Sequence, residues 1–176
     1  MTAHRCKVER NRGWLGRVPK TAYGQEGQWS GILRACSTGM AAEQPVSTTR
    51  NKEIVHKFFK ASNNGDLDSS FDLVSEEIKW VNVGTTALSG TYQGKEELIR
   101  NLLEPLFGRL KAGIFMHINQ LVAEGEHVVA QMSGIAETLD GRPYNNTYCW
   151  IIRVRDGKIV EVKEFADTEL ITSAFG

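Results

Sequence analysis

The sequence contains no apolar run approaching the roughly 18 residues that a membrane-spanning helix needs, so no membrane partner is predicted. It has only three cysteines, and Cys149 alone lies in the part of the chain with periodic hydrophobicity. One cysteine cannot close a disulfide within a domain, so we expect a reducing, cytoplasmic compartment. The four histidines do not stand at metal-ligand spacing with a cysteine or with one another. No metal site and no cofactor are therefore predicted.

The chain as a whole has no net charge, but residues 1–39 and residues 40–176 carry charges of opposite sign. Residues 1–39 hold seven Lys and Arg against two Asp and Glu, a net charge of +5, whereas residues 40–176 hold fourteen against nineteen, a net charge of −5. Affinity for nucleic acid rests on clustered basic side chains. The acidic part of the chain is therefore a poor nucleic-acid binder, and no nucleic-acid partner is predicted.

Residues 1–46 are rich in Gly, Arg, Ser and Thr and show neither helical nor strand periodicity. This composition predicts a disordered or non-native basic leader. An organelle transit peptide is one alternative, and a true start at Met40 is another. The folded domain is predicted to span residues 47–176.

The first half of that domain has the pattern of helices. Apolar residues recur at helical spacing from Thr48, and Asn63-Asn64-Gly65 is a suitable end for that helix. Asp66 can cap a second short helix. Residues 95–110 predict a third helix, which Pro105 should kink or shorten.

The second half has the pattern of strands joined by tight turns. A first strand is predicted around residues 78–83, ahead of the third helix. The turn dipeptides Glu124-Gly125, Asp140-Gly141 and Asp156-Gly157 then separate four more segments. These strands are predicted at residues 113–123, 126–137, 144–155 and 158–166. Helices followed by an antiparallel meander indicate the α+β class.

Two-residue turns would fix the register of this meander. They place Glu164 opposite Cys149, Cys149 opposite Met132, and Met132 opposite His117. One face is then mostly apolar with sparse polar groups, as in a ligand pocket. The residues predicted to face inward are Phe115, His117, Asn119, Val128, Ala130, Met132, Gly134, Asn145, Thr147, Cys149, Ile151, Val160, Val162 and Glu164.

The opposite face combines aromatic and charged side chains, which suits a subunit interface better than a core. A homodimer through this outer face is predicted. The residues that would carry it are Tyr148, Trp150, Ile152 and Phe165.

Several segments together resemble the nuclear transport factor 2-like superfamily. They are Asn63-Asn-Gly-Asp-Leu67, Ile78-Lys-Trp80, Gly90-Thr-Tyr-Gln-Gly94, and the stretches 123–128, 140–150, 155–160 and 163–168. The resemblance extends over about residues 52–175 and is nearest to the SnoaL-like branch, which includes polyketide cyclases and ketosteroid-isomerase-like proteins. It implies a cystatin-like cone, in which a curved antiparallel sheet wraps helices around an internal pocket, and commonly a dimer.

The catalytic patterns of that superfamily match this sequence only in part. The resemblance places Val81 or Asn82 where ketosteroid isomerases carry a carboxylate base, and Phe58 where they carry a tyrosine. The acid that limonene-epoxide-hydrolase relatives carry on the last strand matches Glu164, but their other two positions fall near Gln131 and Ser133. Glu164 is left as a lone inward-facing acid.

Glu164 is the first candidate catalytic residue, because burial among apolar neighbours would raise its pKa into the range useful for proton transfer. A structural acid held by a buried donor is the alternative. His117 is the second candidate, with a satisfied core histidine as its alternative. The predicted ligand-binding residues are Phe58, Trp80, Asn82, Tyr92, Phe115, Asn119, Met132, Asn145 and Cys149.

These observations predict a small-molecule-binding protein, with a cofactor-independent cyclase or isomerase that moves a proton on an apolar carbonyl compound as the first hypothesis. The alternatives are a non-catalytic ligand-binding protein and a dimeric assembly module. The sequence does not decide whether the protein is an enzyme.

Overall fold

The computed structural model describes residues 47–176, so the predicted leader, residues 1–46, lies outside the described residues. Five helices and six strands are found there. The helices are α1 (Thr48–Asn63), α2 (Leu67–Asp72), α3 (Lys95–Leu98), α4 (Glu104–Phe107) and α5 (Thr168–Phe175). The strands are β1 (Val74–Asn82), β2 (Gly90–Gln93), β3 (Phe115–Glu124), β4 (His127–Ile135), β5 (Thr147–Arg155) and β6 (Lys158–Ala166). No described helix is long and apolar enough to cross a membrane.

The predicted helix boundaries are confirmed by their caps. The Ser47 side chain accepts a hydrogen bond from the Arg50 amide at the start of α1. The Asp66 side chain caps α2 by accepting from the Ser69 amide, and Asp167 caps α5 in the same way. Each cap satisfies an amide that has no partner inside the helix, which is why the helix begins there.

The predicted third helix is interrupted rather than regular. α3 continues into a π-helical turn, Ile99–Leu103, before α4 completes the segment. Pro105 has no N–H to donate to the preceding turn, and the helix is widened just ahead of it. Leu102 is buried by this turn.

The sheet is mixed rather than wholly antiparallel. Its strand order is β2-β1-β6-β5-β4-β3, and β1 runs parallel to β6 while the other neighbours are antiparallel. The parallel pairing sets Asn82 opposite Glu164 and Trp80 opposite Val162. The first and last strands of the domain are thus neighbours at the centre of the sheet, with helices packed on its inner face.

The predicted register of the last hairpin is wrong by one residue. The turn itself is as predicted, because Asp156 and Gly157 both have positive φ, 50° and 78°, which a two-residue hairpin loop favours. Beyond it, Val160 has no partner on β5 and forms a bulge, which shifts the pairing. Glu164 therefore lies opposite Trp150 instead of Cys149.

The other two hairpins differ from prediction in their loops. The β4–β5 connection closes through a bridge between Glu137 and Pro143, so five residues rather than two form its tip, and Cys149 lies opposite Gln131. The β3–β4 pairing shifts between Ile118 and Gln120, and its turn begins one residue later than predicted.

These shifts reverse the predicted orientation of β3 and β5. Tyr148, Trp150 and Ile152 are buried on the inner face, so the prediction that they form an outer subunit interface is wrong. Phe165 does lie on the outer face and is 41% exposed. Cys149, Phe115, His117 and Asn119 face outward, not into the cone. Because side chains alternate along a strand, a one-residue slip moves every one of them to the other face.

The free edge of β3 is held to helix α1 by one side chain. The Asn63 carboxamide donates to the Met116 carbonyl and accepts from the Met116 amide, each at 2.8 Å. The carboxamide thereby replaces a missing neighbouring strand at this position. This contact closes the helical layer over the inner face of the sheet.

Candidate active site

A cavity lies between the inner face of the sheet and the helices. It offers about 90 Å³ to the centres of water-sized molecules, enough for several waters or a small organic compound. Its wall is predominantly apolar. The lining residues are Phe58, Phe59, Ser62, Leu67, Phe71, Val74, Trp80, Asn82, Leu88, Leu102, Leu103, Leu106, Phe107, Ile114, Met116, Tyr144, Tyr148, Trp150, Glu164 and Ile171.

Glu164 is the acidic side chain of this cavity. Strand β6 places it at the centre of the sheet, between Asn82 of β1 and Trp150 of β5, and it is buried. Burial disfavours the charged form and raises the pKa of Glu164 from 4.5 to about 7, although the hydrogen bond from Trp80 opposes the rise. The carboxyl group is therefore divided between its two protonation states near neutral pH.

Trp80 orients that carboxyl group. Its Nε1 donates to Glu164 Oε2 at 3.1 Å, and both side chains are buried. A hydrogen bond to an ionisable group in a water-poor site is worth about 1.5–3 kcal/mol. One carboxyl oxygen is held by the indole, which leaves the other without a partner among residues 47–176.

Asn82 is the neighbouring polar group. It is buried, lines the cavity and stands opposite Glu164 in the parallel pairing of β1 with β6. Its carboxamide forms no hydrogen bond with any described residue, although it can both donate and accept. It is available to a bound molecule next to the carboxyl group.

Aromatic rings form the wall around Glu164. Trp80 and Trp150 meet edge to face with ring centroids 4.8 Å apart, and Phe59 packs against Trp150 at 5.2 Å. Phe58 packs edge to face against Phe59, with ring centroids 5.1 Å apart. The Trp150 Nε1 donor is buried without a partner among the described residues. These rings supply a flat, apolar surface suited to an unsaturated or aromatic compound.

Two tyrosines form a second polar group in the cavity. Both tyrosines line the cavity, and the Asn146 carboxamide donates to the Tyr144 hydroxyl at 3.2 Å. Burial raises the pKa of both tyrosines, and the charge of Glu164 adds to the rise. Both hydroxyls therefore remain protonated at neutral pH and can donate.

The structure brings four of the predicted site residues together. Glu164, Trp80, Asn82 and Phe58 all line the cavity. Tyr92 and Met132 are buried on the same side of the sheet but are not part of the lining. The Tyr92 hydroxyl donates to the Leu88 carbonyl at 3.0 Å and is not free to bind a ligand.

The remaining predicted residues lie elsewhere. Phe115 and His117 line a separate surface groove between α1 and β3, so a His117–Glu164 pair across the cavity is excluded by the register of β3. Asn119 is exposed and donates to Ser133 on the outer face at 2.9 Å. Asn145 is exposed, and Cys149 is a half-buried free thiol on the outer face.

Sequence reasoning missed Tyr144, Asn146, Tyr148 and Trp150 as inward-facing residues. The composition of β5 contained a signal for Tyr148 and Trp150, because its even-numbered positions are bulky and apolar whereas its odd-numbered ones include Thr147 and Arg153. No group of three or more His, Cys, Asp or Glu side chains suited to a metal ion occurs in residues 47–176.

The family model of the SnoaL-like domain matches residues 55–162, which is more than half of the chain. The chain belongs to the SnoaL-like family. This match includes most of α1, the helices α2 to α4 and the sheet up to the middle of β6, and Glu164 lies just beyond it.

Solved structures agree with this SnoaL-like fold. A nuclear transport factor 2-like protein from Burkholderia xenovorans shares 25% identity, with 74% of this chain and 99% of that chain aligned and a TM-score of 0.60. A Jannaschia protein named as a SnoaL-like polyketide cyclase shares 17% identity over 72% and 92% of the two chains, with a TM-score of 0.61. TerC, crystallised with polyporic acid, shares 20% identity over 71% and 97%, with a TM-score of 0.63. No protein of curated function matches the sequence.

Proposed function

We propose that this SnoaL-like protein is an enzyme that moves a proton on an apolar carbonyl compound, in an isomerisation or cyclisation that needs no cofactor. The observation that carries the proposal is Glu164, a buried carboxyl group with a pKa of about 7 that faces an apolar, aromatic-walled cavity. General acid–base catalysis is most effective when the pKa of the catalytic group is near the working pH.

The ionised Glu164 would remove a proton from the carbon next to the carbonyl group. The electron pair of the broken C–H bond passes into the carbonyl system to give an enolate, and the carboxyl group holds the proton. Returning the proton at another carbon isomerises the compound. Attack of the enolate on a second carbonyl group instead closes a ring and gives an alkoxide, which takes the proton back from Glu164. In both cases Glu164 ends a cycle in the state in which it began.

The surroundings of Glu164 support this role. The hydrogen bond from Trp80 leaves one carboxyl oxygen free, and the unpaired Asn82 carboxamide beside it is a further polar contact for a bound compound. The name of the Jannaschia relative, a polyketide cyclase, and that of a Bacillus subtilis relative, an isomerase, are consistent with this class of reaction.

Exchange of carbon-bound protons provides the test. Acetophenone, 1-indanone and 1-tetralone are small apolar ketones, and their α-protons can be followed by NMR in D2O. We expect the protein to accelerate α-deuteration of at least one of them, and Glu164→Gln to reduce that acceleration at least about 100-fold, as for loss of a general base. Glu161→Gln on the same strand is the matched control. Tight binding of these ketones without any exchange would support a ligand-binding protein instead.

We also propose that two copies associate through the outer face of the sheet. On that face Val122 is paired with Val129, and Val129 with Ile151, which forms an apolar row across β3, β4 and β5. Phe165, Phe115 and Ile135 extend the apolar surface, with exposures of 41%, 53% and 58%. An apolar face rimmed by charged side chains is typical of an interface, and a second copy presents the same face.

Phe165→Glu should convert the dimer to a monomer, because two carboxylates would be buried against apolar partners across the interface. The mass measured by light scattering should fall by half. Ile99→Glu is the matched control, since Ile99 is 37% exposed but lies in the helical layer on the other side of the sheet. A wild-type protein of monomer mass, or a dimer that survives Phe165→Glu, would contradict the proposal.

A further inference from the structure

At least one of the two hydroxyl protons of Tyr144 and Tyr148 has no acceptor among residues 47–176. This follows from the hydrogen bonds that Asn146 makes. Its Oδ1 accepts from the Asp167 amide at 3.0 Å, so its Nδ2 is the atom that faces Tyr144 and donates to the hydroxyl at 3.2 Å. The Tyr144 oxygen must therefore be an acceptor for Asn146, and Asn146 cannot take a tyrosine proton.

The two tyrosines carry two hydroxyl protons between them. A hydrogen bond between the two hydroxyls would use only one of these protons. The other has no acceptor among residues 47–176. Buried hydroxyl groups normally find a partner, because an unmet donor costs about 1–3 kcal/mol. Both tyrosines line the cavity, which is where the remaining partner can be supplied.

Packing holds the pair rigidly at the cavity wall. Tyr144 is 2% exposed and packs against the tilted ring of Phe175, with ring centroids 4.8 Å apart. Gly134 makes room for Tyr148, since a Cβ there would lie 2.6 Å from the Tyr148 ring. Asn146 also ties the pair to the start of α5 through Asp167. The donor is therefore oriented before a ligand arrives.

We propose that the Tyr144–Tyr148 pair is a binding site for the oxygen of the ligand, donating its unmatched hydroxyl proton to a carbonyl or enolate oxygen in the cavity. Asn146 is a positioning residue for this site. The inference rests on the proposed function for the identity of the ligand. Oxygen recognition is thereby assigned to β5 and the segment just before it, whereas Glu164 and Asn82 lie on β6 and β1. The tyrosine that related isomerases carry in the first helix is replaced here by Phe58.

A pair of isosteric probes isolates the hydrogen bond. Acetophenone and α-methylstyrene have nearly the same shape, but only acetophenone has an oxygen acceptor. We expect calorimetric titration to show that the wild-type protein prefers acetophenone by about tenfold after correction for the different solubilities in water. The double variant Tyr144→Phe/Tyr148→Phe should bind both compounds equally, at the affinity that wild type shows for α-methylstyrene.

Two controls separate this inference from the proposed function. Tyr92→Phe removes a buried tyrosine hydroxyl that is already bonded to Leu88, and should keep the preference for acetophenone. Glu164→Gln should also keep the preference while losing proton exchange. A double variant that still prefers acetophenone, or a wild-type protein with no preference, would overturn the inference but leave the role of Glu164 intact.

A second measurement applies if the double variant does not fold. The wild-type protein can be labelled with 3-fluorotyrosine, and its four tyrosine signals assigned with single Tyr→Phe variants. Acetophenone should shift the ¹⁹F signals of Tyr144 and Tyr148 and leave that of Tyr92 in place. Equal shifts with α-methylstyrene would show that the oxygen is not recognised there.

Discussion

Glu164→Gln should make the protein more stable than wild type above pH 7, although it removes the proposed catalytic group. The pKa of Glu164 is raised from 4.5 to about 7 in the folded protein. Below pH 4.5 the carboxyl group is protonated in both the folded and unfolded states and has no effect on the pH dependence. Between pH 4.5 and 7 the unfolded chain loses this proton while the folded protein keeps it, so the free energy of unfolding falls as pH rises.

The expected loss in wild type is about 3 kcal/mol over that interval, since each pH unit corresponds to about 1.4 kcal/mol. The glutamine side chain of the variant does not titrate, and its carbonyl can still accept from Trp80. Urea unfolding at several pH values should therefore give a difference between variant and wild type that grows from pH 4.5 to 7 and then stays constant. Using the difference removes the contributions of the ionisable groups that the two proteins share.

Glu161→Gln is the matched control for this experiment. Glu161 lies on the same strand but is half-buried on the other side of the sheet, where it faces Arg153 at 3.4 Å. Its replacement should not produce the gain above pH 7. A constant difference between Glu164→Gln and wild type from pH 4 to 8 would mean that Glu164 titrates as an ordinary surface acid.

Trp80→Phe should raise the pKa of Glu164 further above 7. The indole N–H stabilises the ionised carboxylate, and it is the group that opposes the effect of burial. Losing a hydrogen bond of about 1.5–3 kcal/mol should move the titration midpoint upward by about one pH unit or more. The midpoint can be followed through the ¹³C signal of the labelled carboxyl group.

Trp150→Phe is an unusually close control for Trp80→Phe. Both tryptophans are buried, line the cavity and touch each other, so the two substitutions remove similar volume from the same wall. Only Trp80 donates to Glu164, whereas the Trp150 N–H has no described partner. Equal midpoints in the two variants would show that cavity volume, and not the hydrogen bond, governs the titration.

Local sequence patterns were sufficient for the helices and for the existence of the strands. Asp66 and Asp167 satisfy amides only a few residues away, so their caps depend on nothing distant. The Asp156-Gly157 turn was likewise predictable, because positive φ at both positions is a local preference. The resemblance to the SnoaL-like family, carried by short segments spread along the chain, is confirmed by the family match.

The register of the sheet could not be predicted from local sequence patterns. The bulge at Val160 and the five-residue tip of the β4–β5 hairpin each add or remove one pairing position, and neither has a distinctive residue type. Bulges form where they improve packing across the whole sheet, which a count from the nearest turn does not include. The parallel pairing of β1 with β6 joins segments far apart in the sequence, which no local pattern indicates.

The candidate site was likewise predicted only in part. Glu164 faces inward as predicted, since Val162 and Glu164 keep their parity beyond the bulge, but its neighbour is Trp150 rather than Cys149. The tyrosine pair was missed because Tyr148 was placed on the outer face. The one-residue shifts of the last two hairpins cancel at β4, where Val128, Ala130 and Met132 are buried as predicted, whereas β5 between them is reversed.

The pH dependence of α-proton exchange tests the proposed function most directly. With the ketone that exchanges fastest, the rate catalysed by the wild-type protein should rise with pH and level off, with its midpoint near the pKa of about 7 that burial gives Glu164. The midpoint should move upward in Trp80→Phe, and catalysed exchange should be absent in Glu164→Gln. Exchange that persists in Glu164→Gln with an unchanged pH profile would contradict the assignment of Glu164 as the group that moves the proton.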